Sequence, residues 1–380
     1  MSAIDFYMDN KITKKRFADM WAYDWIKMLG AIAAAVFFWV LLFDVLAPRL
    51  LAGQDFSVFT YATVRGNASD KLYDELKKEK VLSYDVLQLN VTTFEKKYIG
   101  QLMSTRAATH EGDILILDKN TVKREIVFEG ENKKEYVFGS FQSTVDGYSI
   151  YDIDKLLKDA LTYYASFTTK YADKTDEITD FDALVAELKA DAENEILDRD
   201  IVLQKFKIRK KKDNAYKTEA QYKSGAEKDV ERLVRLKTDT IKVYEVLHAL
   251  DDIYTFENNP LRANYRKFEY SYFGDLKEKA YEEAYEKETL KTYGIDLGGI
   301  DRIVVGGKRV YKETRRVGED YKVYSDNGVY ETIPETSSGA DGVTVCVFDY
   351  RKYQPDLQYE TVSFLRYIFD TYMNCDAILA

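Results

Sequence analysis

Two cysteines, two histidines and four prolines in 380 residues leave this chain short of the side chains on which several function classes depend. Cys346 and Cys375 cannot make a disulfide framework. They leave open one bridge between the last strand and the last helix, or two buried thiols. Neither lies near the start of the chain, so there is no lipobox-type cysteine to carry a lipid. His110 and His248 are far apart and lack metal-ligand spacing, which argues against a zinc centre or a histidine-based triad. His248 falls in a helical run beside Leu247 and Leu250, whereas His110, in the loop THEGD before a strand, is the better placed of the two for a site. A phosphate-binding loop is missing as well: the position five before Gly307 is Arg302, and Lys308 is followed by Arg309. Acidic residues are so many that carboxylate pairs arise by chance, and none stands in an acid/base context. No catalytic residue, metal or cofactor is therefore assigned, and the chain reads as non-enzymatic.

What is abundant is charge and tyrosine. The 55 basic and 65 acidic side chains give a formal net charge of -10, which argues against nucleic acid as a partner. The 31 tyrosines offer flat apolar faces with polar tips, suited to half-buried positions or to stacking on a sugar or peptide.

One stretch is written for oil. From Met28 to Phe43 there is no charge, and with Trp25, Ile26 and the residues to Ala47 the run reaches the roughly 20 residues that cross a bilayer core. A cleaved signal needs a shorter core and a small-x-small site, whereas Ala47-Pro48-Arg49 is a poor one. The sequence thus predicts a transmembrane helix over 25–47. Lys11, Lys14, Lys15, Arg16 and Lys27 precede it and only Arg49 closely follows, so residues 1–24 are expected in the cytoplasm and the rest outside. The localisation expected is a single-pass cell-membrane protein with an extracytoplasmic main domain.

Beyond the anchor, DFSVFTYA alternates as a strand should, and ASDKLYDELKKEK carries Leu72 and Leu76 on one helical face behind a Ser69 cap. SYDVLQLNVTTF (83–94) reads as a second strand, 95–105 as a helix and DILILD (113–118) as a strand buried on both faces. That order predicts a parallel α/β unit, with 52–150 as a first α/β lobe. Residues 151–292 read as a largely helical region. Its basic run in IRKKKDNAYKTEAQYKSG is either a solvated bend between two long helices or a contact for anionic lipid. Residues 293–380 add a Gly306-Gly307 hairpin, a turn at Asn327-Gly328, the strand GVTVCVFDY and a closing helix that buries Val362, Leu365 and Phe369.

The strand-helix-strand-helix-strand start from FSVFTYA to ILILD, with YGIDLGGI, VTVCVFDY and YETVSFLRYIFDTY near the end, resembles extracellular solute-binding proteins of ABC importers. That type II periplasmic-binding fold starts in one lobe, passes into a second and returns. The resemblance covers 55–118 and, more loosely, 293–373. It implies an α/β domain, a sugar or peptide-like ligand and an importer permease as partner. Ligand would lie beyond the carboxyl ends of the strands, selecting Tyr61, Thr63, Arg65 and Asn67 after the first strand and Asp118 and Asn120 after the third. The chain departs from the family in its transmembrane helix and in a middle of charged helices where further strands belong. A cell-envelope interaction or scaffold protein that reuses the α/β fold without a small solute is the alternative.

Overall fold

From Leu29 to Val40 no side of the first helix is polar. The computed structural model describes residues 13–46, 53–60, 69–93, 99–118, 121–127, 133–266, 289–312, 322–324, 330–332, 343–350 and 359–380. They fall into two units, Met1–Leu51 and Ala52–Ala380. The first holds α1 (Lys14–Leu46), in which every residue from Leu29 to Val40 is apolar and exposed. Among the described residues no helix is long and apolar enough to cross a membrane. The span expected over 25–47 is therefore not established: Leu29–Val40 is shorter than the roughly 20 residues a bilayer core requires, and the side chains of 41–47 lie outside the described set.

The second unit is mixed α/β. Its six-stranded sheet has the order β2-β1-β3-β12-β7-β6, built from β1 (Asp55–Thr60), β2 (Gln88–Thr93), β3 (Ile114–Asp118), β6 (Arg262–Tyr265), β7 (Lys291–Asp296) and β12 (Val343–Val347). β1 runs parallel to β2 and β3, joined through α2 (Ser69–Lys78) and α3 (Ile99–Thr109). β12, from near the end of the chain, enters antiparallel between β3 and β7, setting Val345 opposite Ile116 and also opposite Ile295. The strand period of two sorts the core. Phe56, Val58, Ile114, Val345, Val347 and Ile295 pack on one face, and Phe59, Leu115, Leu117, Cys346, Phe348 and Tyr293 on the other.

The first face is covered by α5 (Ile153–Ala165), α8 (Glu219–Tyr254) and α9 (Tyr359–Tyr372), the second by Met103 of α3 and by Phe141 and Val145 of α4 (Ser140–Gly147). Val362, Leu365 and Phe369 are buried as the helical spacing of α9 predicts. The second core is helical: Leu161 and Tyr164 of α5, Leu184 and Leu188 of α6 (Phe181–Ala190), Val202 and Phe206 of α7 (Arg199–Arg209), and Ala226 and Leu233 of α8. Its helices start on side-chain caps, Asp152, Asp180 and Asp198, with a reciprocal Thr218/Gln221 capping box on α8.

One expectation changes and two others gain detail. Within the region read as largely helical, α8 ends at Tyr254 and Arg262–Tyr265 is an edge strand whose buried arginine is held by ion pairs with Asp154 and Asp251; residues 267–288 lie outside the described residues. The second strand begins at Gln88, not Ser83, since Tyr84 and Asp85 form a turn and Val86 and Leu87 are irregular. Cys346 and Cys375 are both free, and they lie in the cores on opposite faces of the sheet. The Gly306-Gly307 hairpin joins β8 (Val304–Val305) to β9 (Lys308–Arg309), with φ of +56° and +76° that favour glycine. The Asn327-Gly328 turn lies outside the described residues, between the paired β10 (Lys322–Tyr324) and β11 (Tyr330–Thr332).

Truncation after residue 335 removes β12 from the middle of the sheet and α9 from its face. Val345, Val347, Val362, Leu365 and Phe369, at about 2 kcal/mol each, represent on the order of the whole stability of a domain. The truncated chain is expected to aggregate or to be cut throughout in limited proteolysis. A soluble truncation with a cooperative melt would overturn this account of the sheet.

Candidate functional site

The parallel trio places Thr60, Thr93 and Asp118 at one edge of the sheet, where the register adds Val343 and Asp296. This is the edge at which the resemblance locates ligand. Tyr61, Thr63, Arg65, Asn67 and Asn120 lie outside the described residues. The backbone of Asp118 closes β3 opposite Val343, and its side chain is likewise outside. Asp296 is buried there and committed to structure, accepting from the Gly299 N–H at 3.2 Å and from Arg302 Nη2 at 3.3 Å. His110 lies toward the opposite edge, exposed and at positive φ, with its ring 5.6 Å from that of Tyr350. Among the described residues no group of three or more His, Cys, Asp or Glu could hold a metal ion.

A buried polar cluster lies elsewhere, where the turn after α2 meets α5, α7 and α8. Asp229, on α8 and only 1% exposed, accepts at Oδ1 from Arg209 Nη2 at 2.7 Å and from Arg232 Nη1 at 3.3 Å. Arg209 also reaches the Tyr163 hydroxyl of α5 at 3.5 Å. Lys210, ending α7, pairs with Asp85 at 2.8 Å. Tyr84 stands beside them with Lys228 over its ring. Its hydroxyl and Asp229 Oδ2 are both buried without a hydrogen-bond partner.

Three cations and two carboxylates thus share one largely buried corner. Burial, reinforced by the Asp229 and Asp85 carboxylates, pushes the Tyr84 phenol well above its ordinary value. For Arg209 burial works against the charge, but Asp229 outweighs it and the guanidinium is held above its usual value. Neither group exchanges a proton near neutral pH, so the corner is a clamp rather than acid/base machinery. The free Asp229 oxygen is an acceptor and the Tyr84 hydroxyl a donor, a pair that a single buried water or a guest hydroxyl can satisfy.

The clamp also decides which way the basic turn faces. Arg209 and Lys210 are drawn inward, Phe206 is buried edge-on to Tyr216 at 5.1 Å, and Tyr216 stacks on Tyr222 at 5.8 Å. Gly225 makes this approach possible, since a Cβ there would meet Phe206 at 2.5 Å and Tyr216 at 2.6 Å. Lys211, Lys212 and Lys217 are left outward together with Ile208, which is 76% exposed. The run expected to be a solvated bend is therefore half embedded. The signals for it in the sequence were Tyr84-Asp85, absorbed into a strand that starts later, and Asp229-x-x-Arg232 at one helical turn.

Asp229→Asn is expected to destabilise the second unit by about 3 kcal/mol, because two guanidiniums lose their buried counter-charge. The readout is the denaturant midpoint, and a midpoint equal to wild type would contradict the clamp. Tyr84 gives a test by pH. Its folded-state pKa is raised, so its contribution is fully present below the unfolded value near 10 and is lost as pH rises above that. Tyr164, Tyr244 and Tyr367 are raised as well. Tyr84→Phe should therefore flatten, not abolish, the fall in stability between pH 8 and 10.5 seen in urea melts. An unchanged slope would contradict the burial assigned to this hydroxyl.

Compared with protein-family models, with curated proteins and with solved structures, the chain matches none.

Proposed function

We propose that the chain is a non-enzymatic interaction protein, held at a membrane by α1, that presents its helical face to an extracytoplasmic protein partner. The observation that carries this reading is the continuity of α8. Its Leu236, Val243, Val246, Leu247 and Leu250 belong to the sheet core and its Ala226, Leu233 and Ile241 to the helical core, which supports a middle region packed onto the sheet over one set apart as a second lobe. Support for the tether comes from Leu29–Val40. Twelve consecutive exposed apolar residues cover every side of a helix, a pattern suited to lipid rather than to one packing partner. The basic residues before it favour a cytoplasmic start.

A second reading, solute capture for an importer, is favoured by one feature. The late strand β12 joins the sheet beside β3, as a return from a second lobe does.

The two readings separate by melting. A ligand at one hundred times its Kd adds about 2.7 kcal/mol to the folded state. Under the interaction reading a broad screen of sugars and peptides gives no rise in Tm, while photo-reactive side chains at the exposed Ala183 and Ala186 of α6 cross-link one protein reproducibly in intact cells. A saturable rise in Tm, lost in Asn67→Ala, would return the assignment to solute capture. The tether has its own check: protease added outside spheroplasts should remove the body and leave a short membrane fragment. Release of the intact body without protease would contradict anchoring.

A further inference from the structure

We infer that the α7–α8 turn is a docking surface for anionic lipid headgroups, with Lys211, Lys212 and Lys217 as the charged contacts and Ile208 as the apolar one. The inference rests on the membrane tether proposed above. Three observations lead to it.

First, the turn runs against the charge of the rest of the chain. The formal net charge is -10, yet from Lys205 to Lys217 seven residues are basic and one, Asp213, is acidic. Two of these cations are neutralised by buried carboxylates, Arg209 by Asp229 and Lys210 by Asp85, and Lys207 pairs with Glu219. Lys211, Lys212 and Lys217 are exposed and form no ion pair among the described residues. A local positive patch on an acidic body selects an anionic surface and turns other parts of the body away from it.

Second, the most exposed large apolar side chain of the described residues, Ile208 at 76%, stands among these lysines. A lysine cluster alone fits any polyanion. An isoleucine beside it fits a surface with hydrocarbon under the charge, as an interfacial segment uses. The patch is small, so its affinity for free vesicles is modest. A chain tethered by α1 meets headgroups at a high effective concentration, and modest affinity then suffices.

Third, the turn is fixed in place rather than loose. The Asp229 clamp, the Lys210–Asp85 pair and the packing of Phe206 and Tyr216 against Gly225 hold its inner side, so its outer side is presented without an ordering cost.

The test uses the full chain reconstituted in vesicles of phosphatidylcholine alone or with about 30 mol% phosphatidylglycerol. Ala215→Cys, in the same turn, carries an environment-sensitive dye, while the native thiols are buried at Cys346 and Cys375. The expected result is a blue shift and protection from aqueous iodide in the anionic vesicles only. Both effects should disappear in about 0.5 M salt and in Lys211→Glu/Lys212→Glu, and should weaken in Ile208→Asn. In a simple partition experiment, loss of the two lysines should lower binding roughly thirtyfold, at about fivefold to sixfold each. Equal emission in the two vesicle types would overturn the inference, as would an anionic-specific shift that survives charge reversal. Failure of the tether is read separately, as failure to float with either vesicle. In that case adding preformed anionic vesicles to the dye-labelled chain still decides the patch by the same charge-reversal comparison.

Discussion

A helix of 36 residues is about 54 Å long, whereas a strand of six residues covers about 20 Å, so α8 cannot hide its length on the sheet that it crosses. The mismatch organises the rest of the second unit. The carboxyl-terminal part of α8 buries Val243, Val246, Leu247 and Leu250 against the sheet. The amino-terminal part would stand in water with Leu233 and Ala226 exposed unless something covered it. The end of α5, together with α6 and α7, is that cover, and the helical core is the result. At about 25 cal/mol for each Å² of apolar surface, the free energy that shapes this region is of the same kind and order as that which closes the sheet.

Where α8 passes between the two cores it also carries charge inward. Asp229, Arg232, Lys237 and Asp239 are all buried. Arg232 pairs with Asp229 within α8, and the other three are answered from other elements: Arg209 for Asp229, Asp191 for Lys237, and Ser363 and Arg366 of α9 for Asp239. Burial holds the Asp239 carboxyl above its ordinary range despite Arg366 and Ser363. Asp370 is also penalised by burial, but Lys242 and Arg366 bring it below the usual range. Buried pairs of this kind add little net stability against a well-packed apolar alternative. Their effect here is register, because a shift of α8 by one residue would strand charges at three contacts at once.

Local signals wrote much of this fold plainly. ILILD and VTVCV are continuous apolar runs and became central strands, and Ser69, Asp152 and Thr218 stand at helix starts. What stayed hidden was decided by contacts across long stretches of chain. Arg262 gave no strand signal because its burial is settled by Asp154, 108 positions away, and by Asp251. Tyr84 and Asp85 gave no site signal because the groups that meet them, Lys210 for Asp85 and Lys228 and Asp229 beside Tyr84, lie more than 100 positions further along the chain. The loop residues chosen by analogy with a solute-binding fold follow β1 and β3 and, Asp118 apart, lie outside the described residues, so the sheet orients that edge without showing what it holds.

The shared helix bears on mechanism as well. Capture of a solute between two lobes needs the lobes to move against each other about a few residues that absorb the change in φ and ψ. Here the two cores are joined by an unbroken helix, and within it Leu233, of the helical core, and Leu236, of the sheet core, are one turn apart. Bending there would break backbone hydrogen bonds and pull Asp239 away from Arg366. A body built this way suits the proposed recognition by a fixed surface better than closure around a guest. The α7–α8 turn belongs to that fixed surface, because the Asp229 clamp that completes the helical core also turns Ile208 and the free lysines outward.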